Sequence, residues 1–157
     1  MHLLDLLSPA RIRTGVIAAG KKRLLETVSA MLADGTGGEG DRAIFDTLCG
    51  RAEWRRHGRG RCCRAARARS AKAQIPAAVF LRLAEPVDFG ALDGEPVDLV
   101  FALVVPDHFA QQHLLLLAQL AEMFGDGPFR AQLRAAPDPA ALYALLSDWQ
   151  ARHPAAA

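Results

Sequence analysis

The run Val97-Asp-Leu-Val-Phe-Ala-Leu-Val-Val105 constrains this chain more than any other segment. It is nearly continuously apolar and is bracketed by Pro96 and Pro106. Half-buried strands alternate apolar and polar residues, so a run without alternation predicts a central strand buried on both faces. Such a strand needs cover above and below, and the flanking sequence offers helices. Leu24, Leu25, Val28, Met31 and Leu32 fall on one stripe at helical spacing, which predicts a helix from about Lys21 to Ala33. The glycine-rich stretch 34–40 stops it, and Asp41 can cap a second helix with Ile44, Phe45 and Leu48 as its apolar face. Asp107 can open a helix from His108 to about Phe124, which Gly125-Asp126-Gly127-Pro128 ends. Two shorter helices are expected over 129–136 and 139–152.

A turn at Ser8-Pro9-Ala10-Arg11 precedes a short strand candidate over 12–18, and a second strand is expected from Ala77 to Leu83. The proline-containing stretch 84–96 reads as the connection to the central strand. Helices and strands alternate, so the class is α/β, a sheet with helices on both faces. With 157 residues one domain accounts for the chain: 1–152 as the domain and 153–157 as a C-terminal tail. No apolar run approaches the ~20 residues of a membrane span. No basic stretch leads into an apolar one at the amino terminus, so a cytoplasmic protein is expected.

Charge is unevenly spread. Between Arg51 and Arg69 stand eight of the chain's 16 arginines against one acid, Glu53. This stretch carries +7 in a chain of net charge +2, which leaves −5 on the other 138 residues. An arginine-rich segment of this kind can neutralise phosphates, so a nucleic-acid-binding α/β module is the rival functional reading. Against it, Trp54 is the one aromatic in the run, and the run lies inside a fold rather than on a tail.

Gly15-Val-Ile-Ala-Ala-Gly20-Lys21-Lys22 has the glycine and lysine skeleton of a phosphate-binding loop, but Lys22 stands where a magnesium-holding Ser or Thr is needed. It reads as a turn before a helix. The adjacent Cys62 and Cys63, with three cysteines in all, lack the spacing of a zinc knuckle and make no disulfide framework. No metal and no cofactor are expected. His113 shares a helix face with Leu116, Leu117, Leu120 and Phe124, which predicts a partly buried imidazole near the helix start.

Leu3-Leu-Asp-Leu-Leu-Ser8, Lys21-Lys-Arg-Leu-Leu-Glu26 and Ile44-Phe-Asp-Thr-Leu48 open a longer pattern. Phe80-Leu-Arg-Leu-Ala-Glu-Pro-Val-Asp-Phe89, Pro96-Val-Asp-Leu-Val-Phe-Ala-Leu-Val-Val-Pro106 and His113-Leu-Leu-Leu-Leu-Ala-Gln-Leu-Ala-Glu-Met123 complete it. Together these resemble the phosphotransferase-system enzyme IIA domain of the fructose/mannitol type, within it the nitrogen-regulatory group. The resemblance covers 1–50 and about 74–152. It implies a mixed β-sheet sandwiched between helices, and a phosphoryl group accepted from a histidine-containing phosphocarrier protein. It also implies regulatory protein targets. The family's acceptor is a histidine in a Gly-x-Gly-x-Ala-x-Pro-His-x-Arg-like motif. Its second, phosphoryl-binding histidine corresponds to His113.

The acceptor motif is missing. Counted without gaps from Arg51, the acceptor position falls on Arg67 and the motif arginine on Arg69, and no histidine occurs between 58 and 107. The gene offers a reason. Ala65-Ala-Arg-Ala-Arg69 can be encoded GCN-GCN-CGN-GCN-CGN, which read one nucleotide later permits Pro-His-Ala-Arg or Pro-His-Gly-Arg. Cys62-Cys63 shifted likewise permits Val-Ala. A compensated pair of frameshifts around 51–70 would explain the arginines, the paired cysteines and the lost motif together. With eight guanidinium groups to solvate, the segment 51–69 is expected to be irregular and to lie on the surface beside His113.

Overall fold

The computed structural model describes residues 7, 9–36, 55–57, 62–70, 77–87, 97–106, 118–120 and 122–153. Five strands form one sheet: β1 (Ile12–Val16), β2 (Arg55–His57), β3 (Cys62–Ser70), β4 (Ala77–Val87) and β5 (Val97–Pro106), in the order β1-β4-β5-β3-β2. β1 runs parallel to β4 and β3 parallel to β5, while β4–β5 and β2–β3 are antiparallel. The sheet is therefore mixed. Helix α1 (Lys21–Thr36) follows β1, and α2 (Gly127–Ala135) and α3 (Pro139–Arg152) close the described chain. Residues 118–120 and 122–125 are also helical.

β5 behaves as its composition predicts. Leu99, Phe101 and Leu103 enter one apolar cluster, and Val100, Ala102 and Val104 enter the other. The first cluster joins Ile12, Ala78 and Phe80 to Leu120, Met123, Phe124, Phe129, Leu133, Leu142, Leu146 and Trp149. At its centre Phe80 stacks on Phe124 at 5.9 Å, and both meet Phe101. The second cluster seats the predicted stripe of α1, Leu24 to Leu32, on Val79, Leu81 and Leu83. Alternate residues of β4 and β5 thus bury both faces of the sheet, and helices cover each face.

Three boundaries differ from the sequence reading. α1 continues through Gly35 to Thr36 rather than stopping at Ala33. β4 runs to Val87, taking in residues read as connection, with a register shift against β5 between Arg82 and Val87. α2 starts at Gly127, because Asp126 accepts the Phe129 N–H at 3.1 Å and Pro128 occupies the first turn. Asp138 caps α3 in the same way through the Ala141 N–H, and His153 closes it with its ring stacked on Trp149 at 4.2 Å. The helix expected from Asp41 lies outside the described residues.

A larger correction concerns the arginine-rich stretch. Its charge predicts an irregular segment; in the structure 55–57 and 62–70 are β2 and β3, and β3 lies inside the sheet between β5 and β2. The physical reason is the backbone of β5. A strand buried on both faces must have the N–H and C=O groups of both its edges paired, because water cannot reach them. β4 serves one edge, and β3 serves the other in register from Cys63 against Leu99 to Ser70 against Pro106. Counting side-chain charge alone left this demand out.

A network of arginines ties the helical layer to the sheet. Arg134 grips Asp98 with both nitrogens, Nε to Oδ2 at 2.9 Å and Nη2 to Oδ1 at 3.1 Å. Arg82 Nη1 donates to the carbonyls of Leu133, Arg134 and Ala136, at the carboxyl end of α2 where unpaired carbonyls collect. The Asp98 side chain is 12% exposed and that of Arg134 30%, so the pair is partly shielded from water, and removing Asp98 takes a two-point charged acceptor from the guanidinium. We predict that Asp98→Ala lowers unfolding stability by roughly 2–4 kcal/mol in urea denaturation. Arg152→Ala, which breaks an exposed pair with Asp148, should cost less than about 0.5 kcal/mol.

Candidate functional site

Two ends of the sheet could carry a site. At one end β1 and β4 terminate and β5 begins; at the other, β3 and β5 finish together at Ser70 and Pro106. Two of the candidate residues, Arg67 and Arg69, lie at the second end. In register, Arg67 stands opposite Leu103 and Arg69 opposite Val105, in the last four residues of β3. The chain leaves β5 there toward His113. His113 itself lies outside the described residues, as does the start of its expected helix, so its position relative to Arg67 and Arg69 stays an expectation.

The descending part of that helix is described at 118–120 and 122–125, and it is fixed by packing. Leu120, Met123 and Phe124 insert into the cluster around Phe80 and Phe101. Arg130 reaches back from α2 to donate to the Phe124 carbonyl at 2.7 Å, holding the turn between the two helices. Gln119 is buried, and among the described residues neither polar atom of its amide has a hydrogen-bond partner. Sequence reading passed over Arg82, Asp98, Arg130 and Arg134 because a scattered charge looks solvated until the fold places it. Asp98 did carry a signal: it is a single acid inside a run otherwise buried on both faces.

The glycine–lysine skeleton at 15–22 is accounted for without a ligand. Gly15 belongs to β1 rather than to a loop after it, and β1 is an edge strand of the sheet. The register to β4 shifts between Arg13 and Val16, and Gly15 takes φ +65° to accommodate the bulge. A phosphate-cradling loop needs its glycines free between strand and helix. Among the described residues no group of three or more His, Cys, Asp or Glu side chains could hold a metal ion. No helix there is long and apolar enough to cross a membrane.

A mixed five-stranded sheet with a helical layer on each face, and with β3 and β5 ending side by side, defines an α/β sandwich of a recognisable kind. The profile of the family "Phosphoenolpyruvate-dependent sugar phosphotransferase system, EIIA 2" matches residues 5–149. The chain belongs to that family. The nitrogen regulatory protein of Pseudomonas aeruginosa is 37% identical over 150 residues, covering 96% of this chain and 97% of that protein. The nitrogen regulatory protein homolog of Haemophilus influenzae is 36% identical over 144 residues, covering 87% and 85%. Among solved structures, nitrogen regulatory protein IIA-Ntr from Neisseria meningitidis superposes with TM-score 0.82 at 29% identity, covering 90% of this chain and 97% of that one. IIA mannitol from Escherichia coli shares the fold at TM-score 0.71 and 17% identity, covering 89% and 98%.

The role given to Gly15 is testable. A Cβ built there meets no atom within 4 Å, so substitution should cost only the backbone strain of a positive φ. We predict that Gly15→Ala lowers stability by about 1–2 kcal/mol in urea denaturation. Magnesium-ATP should leave the melting temperature of both proteins unchanged.

Proposed function

We propose that this chain is a nitrogen-regulatory-type IIA protein by descent whose phosphoacceptor position is occupied by an arginine. The observation that carries this reading is the coincidence of Arg67 with the ungapped acceptor position in a strand bonded along β5. The likeness to nitrogen regulatory proteins over nearly the whole chain supports the group. In a working carrier, a neutral imidazole attacks phosphorus while nearby donors steady the three transferring oxygens. His113 would be the second histidine that helps bind the phosphoryl group, and Arg69 the motif arginine. Arg67 cannot replace the acceptor, because a guanidinium stays protonated and has no lone pair to offer at neutral pH.

The partner in this reading is a histidine-containing phosphocarrier protein, with regulatory proteins as downstream targets. A solved complex of IIA mannitol with phosphorylated IIB mannitol supports protein-to-protein transfer as the use to which this fold is put. The lost motif is attributed to a compensated frameshift bracketing 51–70. If the shift arose in sequencing, the cellular protein is an ordinary carrier; if it is in the gene, contacts with regulatory targets are what remains. Nothing in the comparisons favours the nucleic-acid reading.

The prediction is direct. Incubated with phosphoenolpyruvate, the upstream enzyme and a histidine phosphocarrier protein, this polypeptide gains no acid-labile phosphoryl group. The double variant Ala66→Pro/Arg67→His, which restores Pro-His before Ala68-Arg69, should gain one. A stable phosphohistidine on the unsubstituted chain contradicts the reading. Sequencing the gene across codons 50–72 decides the source of the shift.

A further inference from the structure

At the corner where β1 leads into α1, charge, exposure and helix geometry coincide. Residues 9–25 carry five cations, Arg11, Arg13, Lys21, Lys22 and Arg23, and no acid. With +5 here and +7 over 51–69, a chain of net charge +2 leaves −10 on the rest. Arg11 is engaged with the Ala78 carbonyl at 3.1 Å, while Arg13, Lys22 and Arg23 are exposed. Between them in the chain stands Ile17, at 81% exposure the large apolar residue left open to water among the described residues. The start of α1 adds a third feature. Gly20 accepts the Leu24 N–H through its carbonyl at 3.1 Å but has no side chain to cap the helix. No acid stands in the first turn; Lys21, Lys22 and Arg23 fill it, against the positive end of the helix dipole.

We propose that this corner docks an acidic segment of a partner protein, with Ile17 as its apolar anchor and Arg13, Lys22 and Arg23 as the flanking charges. Cations in a first turn repel the helix's own N–H dipoles, so they oppose the fold rather than support it. A local rule broken in this way points to a use outside the fold. Arg23 does pair with Glu26 at 3.3 Å, but the two side chains are 74% and 41% exposed, and such a pair adds little. Glu85, on the last turn-ward residues of β4, is the exposed acid at the same end of the sheet. An apolar side chain flanked by charge is the arrangement of a protein interface, whose core is apolar and whose rim is polar. Nucleic acid fits less well, since 9–25 holds no aromatic ring for a base to stack on. An anionic membrane also fits less well, because one side chain offers too little apolar area to hold a bilayer.

The position of the corner separates it from the candidate site. β1 is parallel to β4 and β4 antiparallel to β5, so β1 finishes at the end of the sheet where β5 begins. Arg67 and Arg69 lie at the other end, where β3 and β5 finish. A segment held at the β1–α1 corner therefore leaves the Arg67–Arg69 end uncovered. This inference stands apart from the phosphoryl-carrier reading and does not depend on it.

The test uses the full-length chain and two fluorescein-labelled peptides, with binding read by anisotropy. One peptide is glutamate with a single leucine at its centre; the other is all glutamate at the same length. The leucine peptide should bind more tightly, and added salt should weaken both. Lys22→Gln/Arg23→Gln should weaken the leucine peptide about fivefold. Ile17→Ser should weaken it by about the same factor and leave the all-glutamate peptide unchanged. The double variant should keep or raise the urea midpoint, because it removes cations from the positive end of the dipole; lost binding then cannot come from lost fold. Arg59→Gln/Arg61→Gln, in the other basic stretch, should leave the difference between the two peptides in place. Equal binding of the two peptides, unchanged binding in Lys22→Gln/Arg23→Gln, or a lower urea midpoint in that variant would overturn the proposal. Tighter binding of single-stranded DNA or phosphatidylserine vesicles than of the leucine peptide, lost in the same variant, would overturn it too.

Discussion

The pairing of β5 on both of its edges governs this molecule. Its side chains are divided between two apolar clusters, so its backbone has no access to water from above or below. Each unpaired N–H or C=O in such a strand would cost on the order of 1–3 kcal/mol. β4 and β3 are the strands that meet this demand. Once they are seated, α1 has a surface for its stripe of Leu24, Leu25, Val28 and Leu32, and α2 and α3 have the opposite face.

The same requirement explains why an arginine-laden segment can take a sheet position. Side-chain charge is a solvation problem that a strand near a sheet edge can manage, and β3 has one strand, β2, beyond it. Backbone pairing beside a buried strand has no comparable alternative. Sheet geometry at this place is therefore set by the neighbour more than by the segment's own composition.

Much of this was legible in sequence because apolar periodicity is a local signal. The stripe of α1 and the unbroken run of β5 each predicted their element, and the run of β5 also predicted cover on both of its faces. The strand character of the arginine stretch comes from β5, 35–36 positions away, and no local pattern carries it. Arg82 and Asp98 stand within the family pattern, and Arg134 within the helix expected over 129–136, with no structural role legible for any of them. Their grip on α2 depends on residues far apart in the chain, which become neighbours only when the sheet and helix meet. For the site, the sequence supplied the positions of Arg67, Arg69 and His113, and the fold adds that the first two lie where β3 and β5 end together.

Amide hydrogen exchange across β3 and β5 tests the central claim most directly, because it reads backbone pairing independently of side-chain chemistry. Slow exchange is expected for both 97–106 and 62–70, with the alternating amides of β3 that bond to β5 protected to a similar degree. Protection confined to 97–106, with 62–70 exchanging at the rate of an unstructured peptide, would contradict the account: the arginine segment would then lie outside the sheet, and β5 would need another partner.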